Sequence, residues 1–330
     1  MKDIITRCDI NPILSAQDIP YPASLIFNAG VCKYQGKYVM IFRNDYGLSK
    51  ESFAQLDIKP GDKCPFKTNL GLAISDNGIQ WHVHSKPFWH LETEEIHRVY
   101  DPRLTVIDDK LTICFAIDTK HGIRGGIGII HDLKWVEVLH ISTPDNRNMV
   151  LFPEKINNQF VRLERPFTVY SRGGTDRFDL WAGTSPDLVH WGNFNLVLGV
   201  EDVPFANDKI GPAAPPVKTE KGWLTTFHAV YINKSRNLGG WEKTWYKEYS
   251  AGIMLLDLNN PTKIRGLYKK PLLSPSEKYE CDGFRNNVIF PGGMILEPSG
   301  EVKIYYGAAD TVVALATARV NDLLDLCLNE

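Results

Sequence analysis

Short runs of alternating hydrophobic and polar residues dominate the chain. Each run is rich in β-branched and aromatic residues and is bounded by Gly, Pro, Asn or Asp, which is typical of strands that end in turns. The clearest runs are KYVMIFR (37–43), LTICFAI (111–117), FVRLERP (160–166), RFDLWAG (177–183), GWLTTFHAV (222–230) and EVKIYYGAA (301–309). A helical pattern appears only at the end, in VNDLLDLCLNE. The pattern predicts an all-β protein with a short C-terminal helix.

A weak internal repeat accompanies this alternation. The segments at 72–83, 128–138 and 180–194 share one form, in which a strand is followed by a turn with Asp and then by a Trp that opens the next strand. The three tryptophans, Trp81, Trp135 and Trp191, are 54 and 56 residues apart. Weaker copies occur at 251–266 and 304–323. Five such units predict a five-bladed β-propeller formed by residues 1–330 as a single domain, with Asp capping each turn and Trp packed between blades.

Composition excludes several classes of protein. The 330 residues carry 37 Lys and Arg against 39 Asp and Glu, so the chain lacks the basic excess of a nucleic-acid or anionic-membrane partner. No uninterrupted apolar segment reaches the roughly 18 residues of a membrane span, and the N-terminal segment does not have the pattern of a signal peptide. The six cysteines are scattered, which favours buried free thiols over disulfides or a zinc site. We therefore expect a cytoplasmic protein.

Several polar residues interrupt strands that are otherwise apolar. Propeller sites lie at the axis, where the innermost strand of each blade arrives, so these residues are candidates for a common site. They are Asp101, Arg103, Arg147, Asn148, Arg165, Lys209, His228 and Asp310. Taken singly, each is more simply a salt-bridged, turn or core residue. Buried together, they need a shared partner, and two Arg, one Lys and one His suit an oxyanion such as phosphate, with a carboxylic acid nearby for general-acid catalysis.

The ordered motifs resemble glycoside hydrolase family 130, the mannoside phosphorylases and related enzymes. The resemblance covers nearly the whole chain. Its segments are NPIL (11–14), FNAGVCKYQGKYVMIFR (27–43), LGLAISDNGIQW (70–81), YDPRLT (100–105), VLFPEKIN (150–157), SPDLVHWG (185–192), KTEKGWL (218–224), LLDLNNP (255–261), and FPGGM through YYGAADTVVALAT (290–317). The family has a five-bladed propeller, in agreement with the repeat.

The resemblance implies inverting phosphorolysis of β-mannosides to α-mannose 1-phosphate and a shortened acceptor. Asp101 matches the catalytic acid, whose proton is thought to reach the glycosidic oxygen through a mannose hydroxyl. The phosphate-binding positions are Arg147, Asn148, Arg165, Lys209, His228 and Tyr249. The mannosyl-binding positions are Asn28, Arg43, Asp45, Tyr100 and Asp310. Phosphate is a co-substrate, no metal or organic cofactor is implied, and a homo-oligomer is compatible with the resemblance.

Two alternative functions stay open at this stage. A hydrolase on the same fold would lack the cationic residues and carry a second carboxylate, whereas a sugar-binding propeller without catalysis would leave Asp101 without a role. The linkage, β-1,4 or β-1,2, and the acceptor sugar are not determined by the sequence. The loop at 232–248 contains Trp241, Trp245 and Tyr246, and either a sugar platform or an oligomer contact would explain them.

Overall fold

The structure, a computed structural model, describes residues 4–56, 63–167, 178–235, 241 and 245–329, which form twenty-one strands and three α-helices. The strands are β1 Thr6–Arg7, β2 Leu25–Tyr34, β3 Lys37–Tyr46, β4 Lys67–Ser75, β5 His82–Val83, β6 Ile96–Ile107, β7 Lys110–Thr119, β8 Gly122–His131, β9 Trp135–Ile141, β10 Asn146–Leu151, β11 Phe160–Pro166, β12 Leu180–Ser185, β13 Gly192–Leu198, β14 Lys209–Pro212, β15 Val217–Thr219, β16 Gly222–Ile232, β17 Lys247–Leu256, β18 Ile264–Leu267, β19 Ile289–Leu296, β20 Glu301–Ala308 and β21 Val312–Arg319. The helices are α1 Lys50–Ala54, α2 Lys278–Cys281 and α3 Val320–Leu328.

The strands form five antiparallel sheets, which are the blades of a five-bladed β-propeller. Blade 1 is β2-β3-β4-β5, blade 2 is β6-β7-β8-β9 and blade 3 is β10-β11-β12-β13. Blade 4 is β14-β16-β17-β18 with β15 paired to β16, and blade 5 is β19-β20-β21 completed by β1. The first strands of the blades, β2, β6, β10, β14 and β19, lie around the axis. The predicted fold class is therefore confirmed, including the short C-terminal helix α3.

Side-chain oxygens cap three of the repeated turns, and in two of them the capping residue is the predicted Asp. The Oδ1 atom of Asp187 in blade 3 accepts hydrogen bonds from two backbone N–H groups, and that of Asp257 in blade 4 does the same. In blade 1 the equivalent acceptor is Asn77, whereas the neighbouring Asp76 is exposed and pairs with Lys37. An Asx side chain suits this position because it can bond to backbone N–H groups two and three residues ahead.

The tryptophans of the repeat differ in their packing. Trp81 packs edge-on against Tyr305 of blade 5 with ring centroids 6.0 Å apart, and Trp191 contacts His140 of blade 2 at 6.3 Å. These two lie between blades, as predicted. The prediction is wrong for Trp135, which stacks on His131 of its own blade and is 54% exposed. Its position at the start of the outermost strand leaves the ring on the surface.

The structure also bears on the predictions about the C-terminal helix and the buried cysteines. Helix α3 buries Leu323, Leu324 and Cys327 against blades 4 and 5. Of the six cysteines, Cys32, Cys114 and Cys327 are buried and the other three are half-buried. Among the described residues, no helix combines the length and the apolar character needed to cross a membrane.

A buried ion pair fastens the N-terminal strand, which closes the ring. Strand β1 pairs with β21, and Arg7 at its end donates through Nε and Nη2 to the two carboxylate oxygens of Glu280, at 2.8 and 3.0 Å. Glu280 is fully buried and also accepts from the hydroxyl of Tyr306. Burial raises the pKa of Glu280, but the bonds from Arg7 and nearby backbone N–H groups outweigh this and lower it below its usual value.

We predict that Arg7→Met lowers the free energy of unfolding by about 3–5 kcal/mol at pH 7, because it leaves a buried carboxylate without its partner. The stabilisation from Glu280 is present above the carboxyl pKa of the unfolded chain, about 4.3, and is lost as pH falls through the lowered folded value. The difference between variant and wild type in denaturant unfolding curves should therefore be constant above about pH 5 and shrink as pH falls below about 4. Lys37→Met, which removes an exposed pair, is the control and should change stability little. Equal losses for the two variants would contradict this interpretation.

Candidate active site

Three inner strands carry the same irregularity at the same place. In β2, β6 and β10 a bulge sets two residues against one on the neighbouring strand. The first bulged residue is Asn28, Asp101 or Asn148, with φ of 48°, 51° and 59°. Asn and Asp adopt this left-handed conformation more readily than other non-glycine residues, so the sequence allows the bulge where the polar side chain is needed. All three side chains border one cavity at the axis.

The cavity has a volume of about 460 Å³, including its opening to solvent. Eight of the twelve site residues that the family resemblance implies line it, and Arg103, a further candidate, does not. The lining residues are Asn28, Arg43, Asp101, Arg147, Asn148, Arg165, Trp245, Tyr249, Arg285, Val288, Phe290 and Asp310. The other four predicted residues, Asp45, Tyr100, Lys209 and His228, lie behind this lining, where they contact or face the residues that form it.

Asp101 lies among positively charged groups. Its Oδ1 accepts a hydrogen bond of 2.9 Å from Nδ2 of Asn28 and lies 3.3 Å from Nη1 of Arg43. Burial raises the pKa of Asp101, but the charges of Arg43, Arg103 and Arg147 and the bond from Asn28 lower it below its usual value. The carboxyl group is therefore ionised in the ligand-free protein at neutral pH.

Asp45 and Tyr100 hold Arg43 in place. Asp45 is fully buried, accepts from Nε and Nη2 of Arg43 at 3.0 and 2.6 Å, and accepts from the hydroxyl of Thr68. The ring of Tyr100 lies 4.9 Å from the Arg43 guanidinium, and its hydroxyl donates to Asp118 at 2.7 Å. Asp45 and Tyr100 thus orient Arg43, while Arg43 itself reaches the cavity.

A cationic cluster lies on the side of the cavity formed by blades 3 and 4. Arg165 is 1% exposed, and its Nη1 lies 3.0 Å from Nε2 of His228. Burial and the neighbouring Arg147 lower the pKa of Arg165 to about 9, so it stays charged at neutral pH. Among the described residues, the buried Nε atoms of Arg147 and Arg165 and the Nη2 of Arg165 have no hydrogen-bond partner. Two guanidinium groups with unused donors at one cavity are suited to an oxyanion.

Lys209 and His228 lie one layer further out. Lys209 Nζ is 3.4 Å from Asp208, which also accepts from Lys247. Burial and the charge of Arg165 lower the pKa of Lys209 well below its usual value. Burial and the same arginine lower the pKa of His228, so its imidazole is neutral and its Nε2 can accept from Arg165. His228 contacts Arg165, whereas Lys209 pairs with Asp208. The prediction that the two residues contact phosphate stays a prediction.

A stack of side chains connects this cluster to the mouth of the cavity. His228 and Tyr249 are stacked at 6.1 Å, Tyr249 and Trp245 at 5.8 Å, and the guanidinium of Arg285 lies 4.8 Å from the Trp245 ring. Arg285 also lies 3.3 Å from Asp310. The side chain of Arg285 is 39% exposed, so it marks the opening of the cavity.

The aromatic loop divides between two environments. Trp245 is 9% exposed and belongs to the cavity wall, with its ring against Tyr249 and Arg285 instead of open to solvent. The Trp241 ring is covered by Lys50 at 4.6 Å, and Tyr246 is 38% exposed. Residues 236–240 and 242–244 lie outside the described residues. Neither the sugar platform nor the oligomer contact is tested here.

Three lining residues, Arg285, Val288 and Phe290, were not predicted from the sequence. Phe290 begins the matched segment FPGGM, so its position on an inner strand was a usable signal. Arg285 precedes β19 in a loop, as a charged residue directly ahead of an inner strand, and no motif singled it out. Within the described ranges, no group of three or more His, Cys, Asp or Glu is placed to hold a metal ion.

Comparison with known proteins gives this combination of propeller, buried carboxyl group and cationic cavity a class, the carbohydrate-active enzymes. A family model described as beta-1,4-mannooligosaccharide phosphorylase, glycoside hydrolase family 130, matches residues 9–329. The chain therefore belongs to glycoside hydrolase family 130, a family of β-mannoside phosphorylases.

Individual relatives agree with this assignment. The chain is 33% identical to a beta-1,4-mannooligosaccharide phosphorylase of Ruminococcus albus, over 98% of this chain and 91% of the relative. It is 31% identical to a beta-1,2-mannobiose phosphorylase of Listeria innocua, over 97% of each chain. A solved structure of the beta-1,2-mannobiose phosphorylase from Listeria innocua, in complex with beta-1,2-mannobiose, superimposes with a TM-score of 0.83 and 24% identity over the whole of both chains. That structure supports the fold.

We predict that His228 stays neutral from pH 5 to pH 8, with its proton on Nδ1, which lies 3.3 Å from the carbonyl oxygen of Pro212. Burial and the neighbouring cations Arg165 and Lys209 cause this. Long-range ¹H–¹⁵N NMR of the imidazole nitrogens should show one tautomer with shifts that do not change over this range. In urea-unfolded protein, the same signals should titrate near pH 6.5. A titration midpoint near that value in the folded protein would contradict the prediction.

Proposed function

We propose that the protein catalyses inverting phosphorolysis of β-1,4-linked mannosides, either mannooligosaccharides or mannosyl derivatives of glucose or N-acetylglucosamine. The products are α-mannose 1-phosphate and a shortened acceptor. The observation that carries the proposal is the meeting of Asp101 with Arg147 and Arg165, which have unused buried donors, at one cavity. The description of the family model and the Ruminococcus relative support the β-1,4 linkage. The Listeria relative makes β-1,2 the alternative.

In this mechanism the two sides of the cavity hold different substrates. Phosphate binds between Arg147 and Arg165, assisted by Asn148 and Tyr249. The mannosyl unit is held on the other side by Asn28, Arg43 and Asp310. This separation places the nucleophile and the sugar in fixed relative positions, which removes much of the entropic cost of the reaction.

The bond changes then balance without a second catalytic carboxylate. A phosphate oxygen forms a bond to the anomeric carbon while the bond from that carbon to the glycosidic oxygen breaks. The leaving oxygen receives a proton that originates from Asp101, through a hydroxyl of the bound mannose. An inverting hydrolase would need a further base to activate water. Phosphate needs no such base because it is already anionic at neutral pH. The second carboxylate that lines the cavity, Asp310, is paired with Arg285.

Two assays test this function directly. Incubation with β-1,4-mannobiose should release mannose 1-phosphate only when phosphate is present, and equal cleavage with and without phosphate would identify a hydrolase instead. Saturable mannoside binding without turnover would identify a sugar-binding protein. Synthesis from mannose 1-phosphate and a panel of acceptor sugars, followed by NMR of the products, assigns the linkage. A β-1,2 product would overturn the linkage proposal and leave phosphorolysis standing.

We predict that Asp101→Asn lowers the rates of phosphorolysis and of synthesis by at least about 10²–10⁴-fold, which is the typical contribution of general acid–base catalysis. Asparagine keeps the shape of the side chain but supplies no exchangeable acidic proton. Circular dichroism and thermal melting should show an intact fold. If the variant kept more than about a tenth of the wild-type rate, another residue would have to be the acid.

We predict that Arg147→Ala and Arg165→Ala raise the KM for phosphate about ten- to a hundredfold. The reason is the loss of one charge-assisted contact, worth about 1.5–3 kcal/mol. The KM for the mannoside should change far less. Arg162→Ala is the matched control, because Arg162 is a buried arginine on the same strand as Arg165 but pairs with Glu164 and does not line the cavity. Unchanged phosphate dependence in both cavity variants would show that the cluster is structural.

A further inference from the structure

Arg103 lies at the axis of the propeller but has no part in the mechanism described above. It follows Asp101 by two residues on β6 of blade 2. Its Nε donates to the carbonyl oxygen of Ala213 at 2.6 Å, and its Nη1 donates to that of Pro102 at 2.8 Å. Ala213 directly follows β14 of blade 4, which is not a neighbour of blade 2, so the side chain crosses the axis. Its guanidinium lies 5.1 Å from the ring of Phe290 in blade 5.

The backbone of Arg103 packs closely against the backbone of blade 1 at Gly30. A Cβ atom on Gly30 of blade 1 would lie 2.9 Å from the Cα of Arg103. Arg103 is not among the residues that line the cavity, so its role cannot be a direct contact with a substrate bound there. Groups from blades 1, 4 and 5 therefore surround Arg103 behind the cavity wall, to which Phe290 belongs.

The charge of Arg103 is not balanced by a local ion pair. Among the described residues, no carboxylate lies within 4.0 Å of it, and its buried Nη2 has no hydrogen-bond partner. Burial lowers the pKa of Arg103 to about 10, and the charge of Asp101 opposes this decrease. Burial of a cation without an ion-pair partner lowers the stability of the fold by several kcal/mol. Stability alone therefore does not explain the presence of Arg103 at the axis.

We propose that Arg103 is a positioning residue of the reaction: from the axis it supplies a fixed positive charge that acts on the carboxyl group of Asp101 and draws phosphate into the cavity. The inference rests on the proposed phosphorolysis. It concerns a residue behind the cavity wall and is separate from the residues that would contact either substrate.

The charged and polar groups that face Asp101 come from four strands. Asn28 is on β2, Arg43 on β3, Arg103 on β6 itself and Arg147 on β10. Three of these are close enough to a bound ligand to contact it, because they line the cavity. Arg103 does not, so its removal changes the electric field at Asp101 and leaves the substrate contacts in place.

The direction of the effect on pH dependence follows from the sign of that field. In phosphorolysis Asp101 acts protonated, so activity is lost as pH rises through its pKa. In synthesis it acts ionised, so activity is lost as pH falls through the same pKa. Removal of a nearby positive charge raises the pKa of a carboxyl group. Loss of Arg103 should therefore move the basic limb of phosphorolysis and the acidic limb of synthesis in the same direction, to higher pH.

The test compares Arg103→Gln and Arg103→Lys with wild type in pH profiles of kcat, measured at saturating substrates in both reaction directions, because kcat reports the pKa of Asp101 in the substrate-bound enzyme. Arg103→Gln should shift both limbs upward by about one pH unit, within the usual range for loss of a neighbouring charge. It should also raise the KM for phosphate about three- to tenfold, an effect smaller than loss of a direct contact, and leave the KM for the mannoside nearly unchanged. Arg103→Lys keeps the charge and should keep the wild-type limbs.

Arg162→Gln is the matched control. Arg162 is also 2% exposed but pairs with Glu164 in blade 3, away from the cavity. The Arg162→Gln variant should leave the basic limb of phosphorolysis and the acidic limb of synthesis at their wild-type pH. A purely structural role for Arg103 predicts lower activity at every pH with unmoved limbs, and that result would overturn the proposal.

A second variant covers the case in which Arg103→Gln does not fold. Cys114 faces Arg103 across the β6–β7 ladder and is buried. Cys114→Asp should balance the charge of Arg103 without removing its hydrogen bonds, and should shift both limbs upward relative to Cys114→Asn. Equal limbs in these two variants would overturn the proposal.

If the wild type released no mannose 1-phosphate, the proposed function would fail too, whereas a phosphate-dependent wild type with unmoved limbs in Arg103→Gln would refute only the role of Arg103.

Discussion

Burial of several guanidinium groups around one cavity is the constraint on which the centre of this propeller depends. Each buried cation needs nearby negative charge or hydrogen-bond acceptors, or it destabilises the fold. Three arginines at or near the cavity are paired with an aspartate: the buried Arg43 with Asp45, Arg98 behind the cavity wall with Asp118, and the partly exposed Arg285 at the cavity mouth with Asp310. Among the described residues, Arg103, Arg147 and Arg165 have no such partner within 4.0 Å. The axis is therefore positively charged where an anion would bind, and the aspartates confine that charge to one side.

The blades and the polar residues on the inner strands could be predicted from the sequence because both leave local signals. Alternation and the spacing of Trp81, Trp135 and Trp191 gave the five sheets. Asp101 and Asn148 interrupt apolar strands because the bulge there needs a residue that tolerates positive φ. Such a residue is visible without knowledge of the neighbouring strands. Asn28 lies at the same place in β2, but it was predicted from the family resemblance, as were Arg43 and Tyr249.

The depth of each residue relative to the cavity could not be predicted, because it depends on register and on contacts between blades. His228 lies opposite Gly211 in the β14–β16 ladder, and this register places its ring behind Arg165. Lys209 pairs with Asp208, its direct neighbour in sequence, although its charge suggested a direct anion contact. Arg285 enters from a loop whose path is set by the packing of blade 5. The pair Asp208–Lys209 is adjacent in the sequence, but the positions of His228 and Arg285 depend on other strands and blades and leave no pattern along a single sequence.

The charge at the axis also bears on how one carboxyl group can be an acid at neutral pH. In the ligand-free protein the surrounding arginines keep Asp101 ionised, which is unfavourable for proton donation. A phosphate dianion between Arg147 and Arg165 would bring negative charge to the same cavity and offset the field of those cations. A neighbouring anion raises the pKa of a carboxyl group. Phosphate would then favour protonation of Asp101 as it binds, so the acid would be formed only when the nucleophile is present. Water, which brings no charge, would not have this effect, and the same arrangement of charges would disfavour hydrolysis.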